Sequence, residues 1–327
     1  MIHTSVNNNS IKLIRTLGIP SIIENKYNED YDANMMHLAR LNKVHLLYAL
    51  HTNNIDHILQ SKHDITIHTI LEVSNILNAN KINYALFKTI KPFPYIPSDI
   101  DILIDYQSLV KIIKLLEEHN YSKYIKDSLC TTMRKDTNID LYLDPSVSNL
   151  AYLDGELLMK HKCVKNINDT EVHTLTNYAE IIAVACHSFY KEQLFTLSDY
   201  YTLTILAEEH KRIDDIINFA RINNAIDVLK VTANICKQIT LQAFEIDHLV
   251  ICKIADLLNQ DVYNTHRDYP NGLITLPYKF PIIFVMKSLM KKVSEERGNI
   301  TLMKGILKSI SLRQIRKLLD HKVRETY

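Results

Sequence analysis

Between about residue 82 and residue 145 the hydrophobic pattern runs at a period of two, while on either side it runs at the period of a helix. That change constrains the fold more than any other feature, because a sheet must be built inside an otherwise helical chain. The expected class is α+β, with a small mixed sheet flanked by helices and a helical C-terminal region. Tyr84-Ala85-Leu86-Phe87 predicts a short strand, ended by the Pro-rich turn Lys91-Pro92-Phe93-Pro94-Tyr95-Ile96-Pro97. Ser98-Asp99-Ile100-Asp101-Ile102-Leu103-Ile104 predicts the next. A helix signalled by Ser108 follows, with Leu109, Ile112, Ile113 and Leu116 on one face. Then comes a hairpin, Ser128 to Met133 and Ile139 to Leu143, joined by Arg134-Lys135-Asp136-Thr137-Asn138.

Residues 1 to about 80 read as helical. Leu41, Val44, His45 and Tyr48 recur at helical spacing, as do Ile67, Ile70, Leu71 and Ser74. After Pro145 the reading is helical again, most clearly over Thr176 to Tyr190, where Ala179, Ile182, Ala183 and Cys186 form a stripe. Further helices are expected near 197–209, 211–222, 225–241 and 246–259. The expected organisation is a helical segment over 1–80, a core over 81–148 and a helical region over 149–327.

Composition narrows the chemistry. At 46% hydrophobic and 23% charged, the chain can bury a sizeable core, which excludes disorder over most of its length. Its five glycines stand apart in sequence, so neither a Rossmann fingerprint nor a Walker loop can be assembled. Any phosphate must then be handled by metal ions and cations. Five scattered cysteines without a CxxC pair argue against a disulfide framework or a structural zinc and suit a reducing compartment. No signal peptide is evident at the N-terminus. The longest apolar run, Phe280 to Met286, is far short of the ~20 residues that span a bilayer. A soluble, cytoplasmic protein with no transmembrane segment is expected. Charge is uneven: Lys279 to Tyr327 carries 12 Lys/Arg against 4 Asp/Glu, a net of +8, on a body with a net of −7.

In a strand, alternate side chains share a face, so Asp99 and Asp101 point the same way and Ile100, Ile102 and Ile104 line the other. The later strand repeats the arrangement, with Ile139, Leu141 and Leu143 on one face and Asp140 and Tyr142 on the other. If the two strands share a sheet, three carboxylates meet on one patch. Their mutual repulsion is relieved by a hard divalent cation such as Mg²⁺, which takes carboxylate oxygens. Asp105, Asp136 and Asp144 read as solvated loop residues.

Taken in order, Tyr84 to Thr89, then Pro97-Ser98-Asp99-Ile100-Asp101-Ile102-Leu103-Ile104, then Ile139-Asp140-Leu141, the chain resembles the DNA polymerase beta-like nucleotidyltransferase superfamily over about 60 residues. The resemblance implies Mg²⁺-dependent transfer of a nucleoside monophosphate from an NTP such as ATP to a hydroxyl acceptor, with release of pyrophosphate. Asp99 and Asp101 would hold two Mg²⁺ ions, which Mn²⁺ can replace. Asp140 would share the metal that lowers the pKa of the acceptor hydroxyl. Where the family usually carries Gly in its turn, this chain has Phe87-Lys88-Thr89. Lys88 could offer its ammonium, and Thr89 and Ser98 their hydroxyls, to the nucleotide. The family's following helical domain often supplies a Lys and an aromatic or polar residue, roles that Lys191 and Tyr200 could fill.

Other features carry less. His187 reads as structural, Lys91 as a further phosphate contact, and His161-Lys162-Cys163 as no site. The basic C-terminal segment suits an RNA acceptor, such as a tRNA end, although its helices could equally lie against the acidic body or touch anionic lipid. Three alternatives stay open: modification of a protein (toxin-like) or of a small molecule (antibiotic-type), a catalytically degenerate nucleotide- or RNA-binding module, and a glycosyltransferase using Asp99-Ile100-Asp101. Oligomeric state is not legible.

Overall fold

The computed structural model describes residues 2–20, 30–126, 128–147, 150–260 and 275–295. The N-terminal helices are α1 (Ile2–Leu17), α2 (Ala33–Leu41), α3 (His45–His51) and α4 (His57–Ala79). Strands β1 (Tyr84–Leu86) and β2 (Asp99–Ile104), helix α5 (Leu109–Glu118) and strands β3 (Ser122–Lys126), β4 (Cys130–Arg134) and β5 (Asn138–Tyr142) follow. Next are β6 (Ser146–Val147), β7 (Leu150–Ala151), α6 (Gly155–Met159), β8 (Lys162–Ile167), β9 (Thr170–Leu175) and α7 (Asn177–Cys186). A π-helical turn over His187–Glu192 leads to β10 (Leu194–Phe195), α8 (Leu197–His210), α9 (Ile213–Ile222), α10 (Ile226–Phe244), α11 (Val250–Gln260), β11 (Tyr278–Lys279) and α12 (Ile282–Glu295). The class is α+β, as the change of period predicts.

The chain divides into two compact units. A sheet unit draws on Ile58–Ile90, Ile96–Ala183 and Leu289–Tyr327, and a helical unit on Met1–His57, Lys91–Tyr95 and Val184–Ser288.

In the sheet unit seven strands run in the order β3-β4-β5-β2-β1-β9-β8. β2 pairs antiparallel with β1 and parallel with β5, so the acid-bearing strands are neighbours. Ile100, Ile102, Ile139 and Leu141 are fully buried in one cluster with Ile70, Val73 and Leu77 of α4 and Ile112 and Leu116 of α5. The alternate apolar residues of β2 and β5 therefore meet the apolar stripes of two helices. Burying such side chains contributes roughly 1.5–3 kcal/mol each, and the opposite sheet face carries the aspartates together with the buried Leu103 and Tyr142.

Three expectations are corrected. Among the described residues between Pro145 and Thr176 only the short α6 is helical: β8 and β9 form a hairpin that extends the sheet. Its two loop residues, Asn168 and Asp169, both have positive φ (45° and 63°), the geometry of the turn that best matches strand twist. The stripe Leu41, Val44, His45, Tyr48 does not lie on one helix. α2 stops at Leu41, and Lys43 turns the chain with φ 57° before α3. Asp144 is no solvated loop residue either. Its Oδ1 accepts the Gly155 N–H at 2.7 Å, and burial raises its carboxyl pKa. A Cβ at Gly155 would lie 2.0 Å from the Leu143 carbonyl oxygen, so only glycine lets α6 start against the end of β5.

The helical unit is built around the buried α8, α10 and α11. Tyr200 and Tyr201 are fully buried on α8, with Leu229, Ile235, Ile251 and Ile254 on the two later helices. α1 is tied in by the Arg15 Nε–H donating to the Ala243 carbonyl at 2.8 Å. Among the described residues no helix is long and apolar enough to cross a membrane.

Candidate functional site

The parallel pairing of β2 and β5 sets Asp101 directly opposite Asp140 and Asp99 opposite Asn138. All three aspartates lie on the face away from the isoleucines, because the side-chain period of a strand is two.

Asp140 is held by hydroxyls. Thr132 on β4, its partner across the other edge of β5, donates to Oδ1 at 2.6 Å, and the Tyr142 hydroxyl donates to Oδ2 at 3.2 Å. Burial raises the pKa of Tyr142 well above its ordinary value, and the charges of Asp101 and Asp140 add to the effect. Tyr142 therefore keeps its proton and stays a donor.

Asp101 is 6% exposed, and its Oδ2 lies 3.2 Å from the Lys88 ammonium. Lys88 is 6% exposed, and its Nζ stands 4.5 Å from the Phe87 ring centroid and 5.3 Å from that of Tyr142. The lysine occupies the turn position with φ 61°, a left-handed conformation that glycine adopts without strain. This position thus combines a left-handed backbone with a buried cation.

Three bonds hold this turn, two against β2 and one against α7. The Phe87 N–H donates to the Asp101 carbonyl at 3.1 Å, the Lys88 N–H to Glu180 Oε1 at 2.6 Å, and the Asp101 N–H to Thr89 Oγ1 at 2.9 Å. The Thr89 hydroxyl also donates to the Phe87 carbonyl at 3.2 Å and is buried. Thr89 is therefore a clamp between the turn and the strand, not the nucleotide-facing hydroxyl expected from the sequence. Ser98 donates to Asp99 Oδ1 at 3.0 Å and is exposed.

Lys191 and Tyr200 belong to the helical unit. Tyr200 is fully buried, with its hydroxyl 3.0 Å from Thr240 Oγ1, so it packs and offers no surface to a nucleotide. Lys191 is half-buried on the π-helical turn, beside Glu192. Burial pushes the Glu192 carboxyl up, but the bond from His187 and the charges of Lys43, His187 and Lys191 outweigh it and hold the pKa far below the carboxylate range. His187 Nε2 is 3.3 Å and Lys43 Nζ 3.6 Å from this carboxylate, in keeping with a structural histidine. Lys91 stands 5.7 Å from the Tyr95 ring centroid and partly offsets the desolvation that raises the carboxyl pKa of the half-buried Asp199. Of the basic C-terminal segment, Lys279, Lys287 and Lys291 are exposed and Lys292 is buried. Residues 296–327 lie outside the described residues.

Among the described residues no three His, Cys, Asp or Glu side chains form a group able to hold a metal ion by themselves. Mg²⁺ commonly binds one or two carboxylates and completes its shell with water and substrate phosphates. Asp101 and Asp140, side by side and supplying only oxygen, fit an ion that arrives with a phosphate-bearing substrate.

Glu180 and Thr132 escape a reading of the sequence, which places Tyr142 on the Asp140 face but gives it no role. Glu180 sits between the apolar positions of α7 and looks like a solvated helix residue. Thr132 becomes relevant only through its pairing with Asp140. No known protein-family description matches this chain. A search of curated proteins likewise finds no relative.

Proposed function

We propose that this protein transfers a nucleoside monophosphate from an NTP to a hydroxyl acceptor, with Asp101 and Asp140 at the reacting centre. The observation that carries the reading is their pairing across two adjacent parallel strands, on the face opposite the apolar core. Helices are not capped by these two carboxylates, and each is oriented by side-chain donors: Lys88 on Asp101, and Thr132 and Tyr142 on Asp140. Residues held so firmly are suited to preorganised electrostatic work.

Asp101 and Asp140, with Asp99 alongside, would hold Mg²⁺, which when bound supplies charge neutralisation for the triphosphate and a lowered pKa for the acceptor hydroxyl. Asp140 orients that hydroxyl and accepts its proton. The acceptor oxygen bonds to the α-phosphorus, the bond to the bridging oxygen breaks, and pyrophosphate leaves. Lys88 holds Asp101 in place and adds positive charge beside the phosphates. The net +8 of Lys279 to Tyr327 favours an RNA acceptor, such as a tRNA end, over a protein or small-molecule hydroxyl.

One observation favours a second reading. The Lys88 ammonium already neutralises Asp101, as expected of a nucleotide-binding module that has lost catalysis. Incubation with each of the four α-³²P NTPs and Mg²⁺ or Mn²⁺, with and without total RNA, separates the two. The proposed function predicts label in RNA, lost in Asp140→Asn. Label in a protein or a small product would retain the reaction and change the acceptor. NTP binding without transfer under any condition would replace the reaction with the binding module.

A further inference from the structure

Lys88 holds a conformation that is costly for a residue with a Cβ, at φ 61°, and its ammonium rests on Asp101. Left-handed backbone at a non-glycine residue persists when its surroundings impose it. Glu180 holds this backbone: its Oε1 accepts the Lys88 N–H at 2.6 Å across 92 residues of sequence. Glu180 is 7% exposed and stands in the first turn of α7, where the helix dipole favours a carboxylate. Its oxygen is directed to the turn after β1 rather than to the exposed amides of its own helix. A carboxylate accepting from an amide makes a strong, short bond, and a buried one is firmly oriented.

We propose that Glu180 is a positioning residue: by accepting the Lys88 N–H it fixes the left-handed turn, and through that turn it sets where the Lys88 ammonium and the Asp101 carboxylate stand. The role rests on Asp101 and Asp140 being the transfer site. The geometry is specific to that task. Phe87, Lys88 and Thr89 are each tied by a separate bond, two of them to the Asp101 backbone and the third to Glu180. Without the third bond the Lys88 peptide is free to rotate towards the right-handed region, carrying its ammonium away from Asp101 Oδ2.

Two variants and two readouts test this. Glu180→Gln keeps an oxygen acceptor of the same length and removes the charge, whereas Glu180→Ala removes the acceptor. The Ala variant should lower kcat for transfer by about tenfold or more while KM for the NTP stays within about threefold, since a positioned group acts in the transition state. Gln should restore kcat to within about threefold of wild type, because the acceptor is what matters. Amide exchange at Lys88 reads the same bond without reference to catalysis. Protection should be retained in Gln and reduced by about tenfold or more in Ala.

Wild-type kcat in the Ala variant with Lys88 still protected would overturn the proposal, and so would a Gln variant as damaged as Ala. If Ala does not fold, the Gln variant decides alone: protection and kcat kept support the role, and both lost reject it. If the wild type shows no transfer at all, the proposed reaction fails, yet the exchange comparison still tests whether Glu180 fixes the turn.

Discussion

In the helical unit, Asp32 accepts the backbone N–H groups of Asn34 and Met35 at the start of α2, and Asp199 closes a capping box with Thr196 at the start of α8. On the sheet face, Asp140 accepts from the hydroxyls of Thr132 and Tyr142, and Asp101 faces the ammonium of Lys88. Asp32 and Asp199 satisfy amides that a helix end leaves without partners, so the fold itself explains them. The bonds to Asp140 and the ion pair of Asp101 close no helix end. They orient carboxylates on the sheet face opposite the isoleucine cluster. The contrast teaches that a buried or half-buried carboxylate is explained by the fold when its donors are helix-end amides, and asks for another reason when they are side chains. What separates the two sets is whether local backbone accounts for the partner.

The sharpest way to break this contrast is to remove one member of each set. Asp101→Leu leaves the Lys88 ammonium buried beside an apolar side chain, and breaking such a pair costs about 3–5 kcal/mol. Denaturant unfolding should show that loss, and adding Lys88→Met should recover most of it. Asp32→Ala, by contrast, removes a cap worth about 1 kcal/mol, readable as a modest drop in midpoint with transfer unchanged.

The smallest effect concerns acid. The Glu192 pKa is lowered in the folded state, so its contribution is fully present above the ordinary value of 4.5 and is lost as pH falls from there towards the folded value. Stability of the wild type should therefore decline more steeply below pH 4.5 than that of Glu192→Gln, which should be less stable at neutral pH. Parallel curves for the two proteins would show that Lys43, His187 and Lys191 do not hold this carboxylate.

How far the molecule can be read from its sequence depends on the range of the interaction. The alternation Asp99-Ile100-Asp101-Ile102 states its own two faces, and the structure keeps them. That Asp140 stands beside Asp101 depends on a parallel pairing between strands separated by a helix and a hairpin, and no local pattern fixes that register. The surroundings of Thr89 and Tyr200 are not local either, since their hydroxyls find partners 12 and 40 residues away. The β8–β9 hairpin was missed because polar residues such as Lys165, Asn166 and His173 interrupt its apolar positions. Lys88 is legible as a cation in the turn, but nothing about a lysine announces its left-handed backbone.

The central claim is that Asp101 and Asp140 do chemistry while Asp32 only closes a helix. Transfer of α-³²P label by wild type, Asp140→Asn and Asp32→Asn, measured side by side at matched folded protein, tests it most directly. Asn keeps the size of Asp140 and an oxygen for at least one hydroxyl bond, so the fold should be retained. The account predicts a loss of about 10²–10³-fold or more for Asp140→Asn, the scale of removing one preorganised electrostatic group, and wild-type transfer for Asp32→Asn. Equal transfer by all three proteins would contradict it and return the sheet-face carboxylates to a purely structural role.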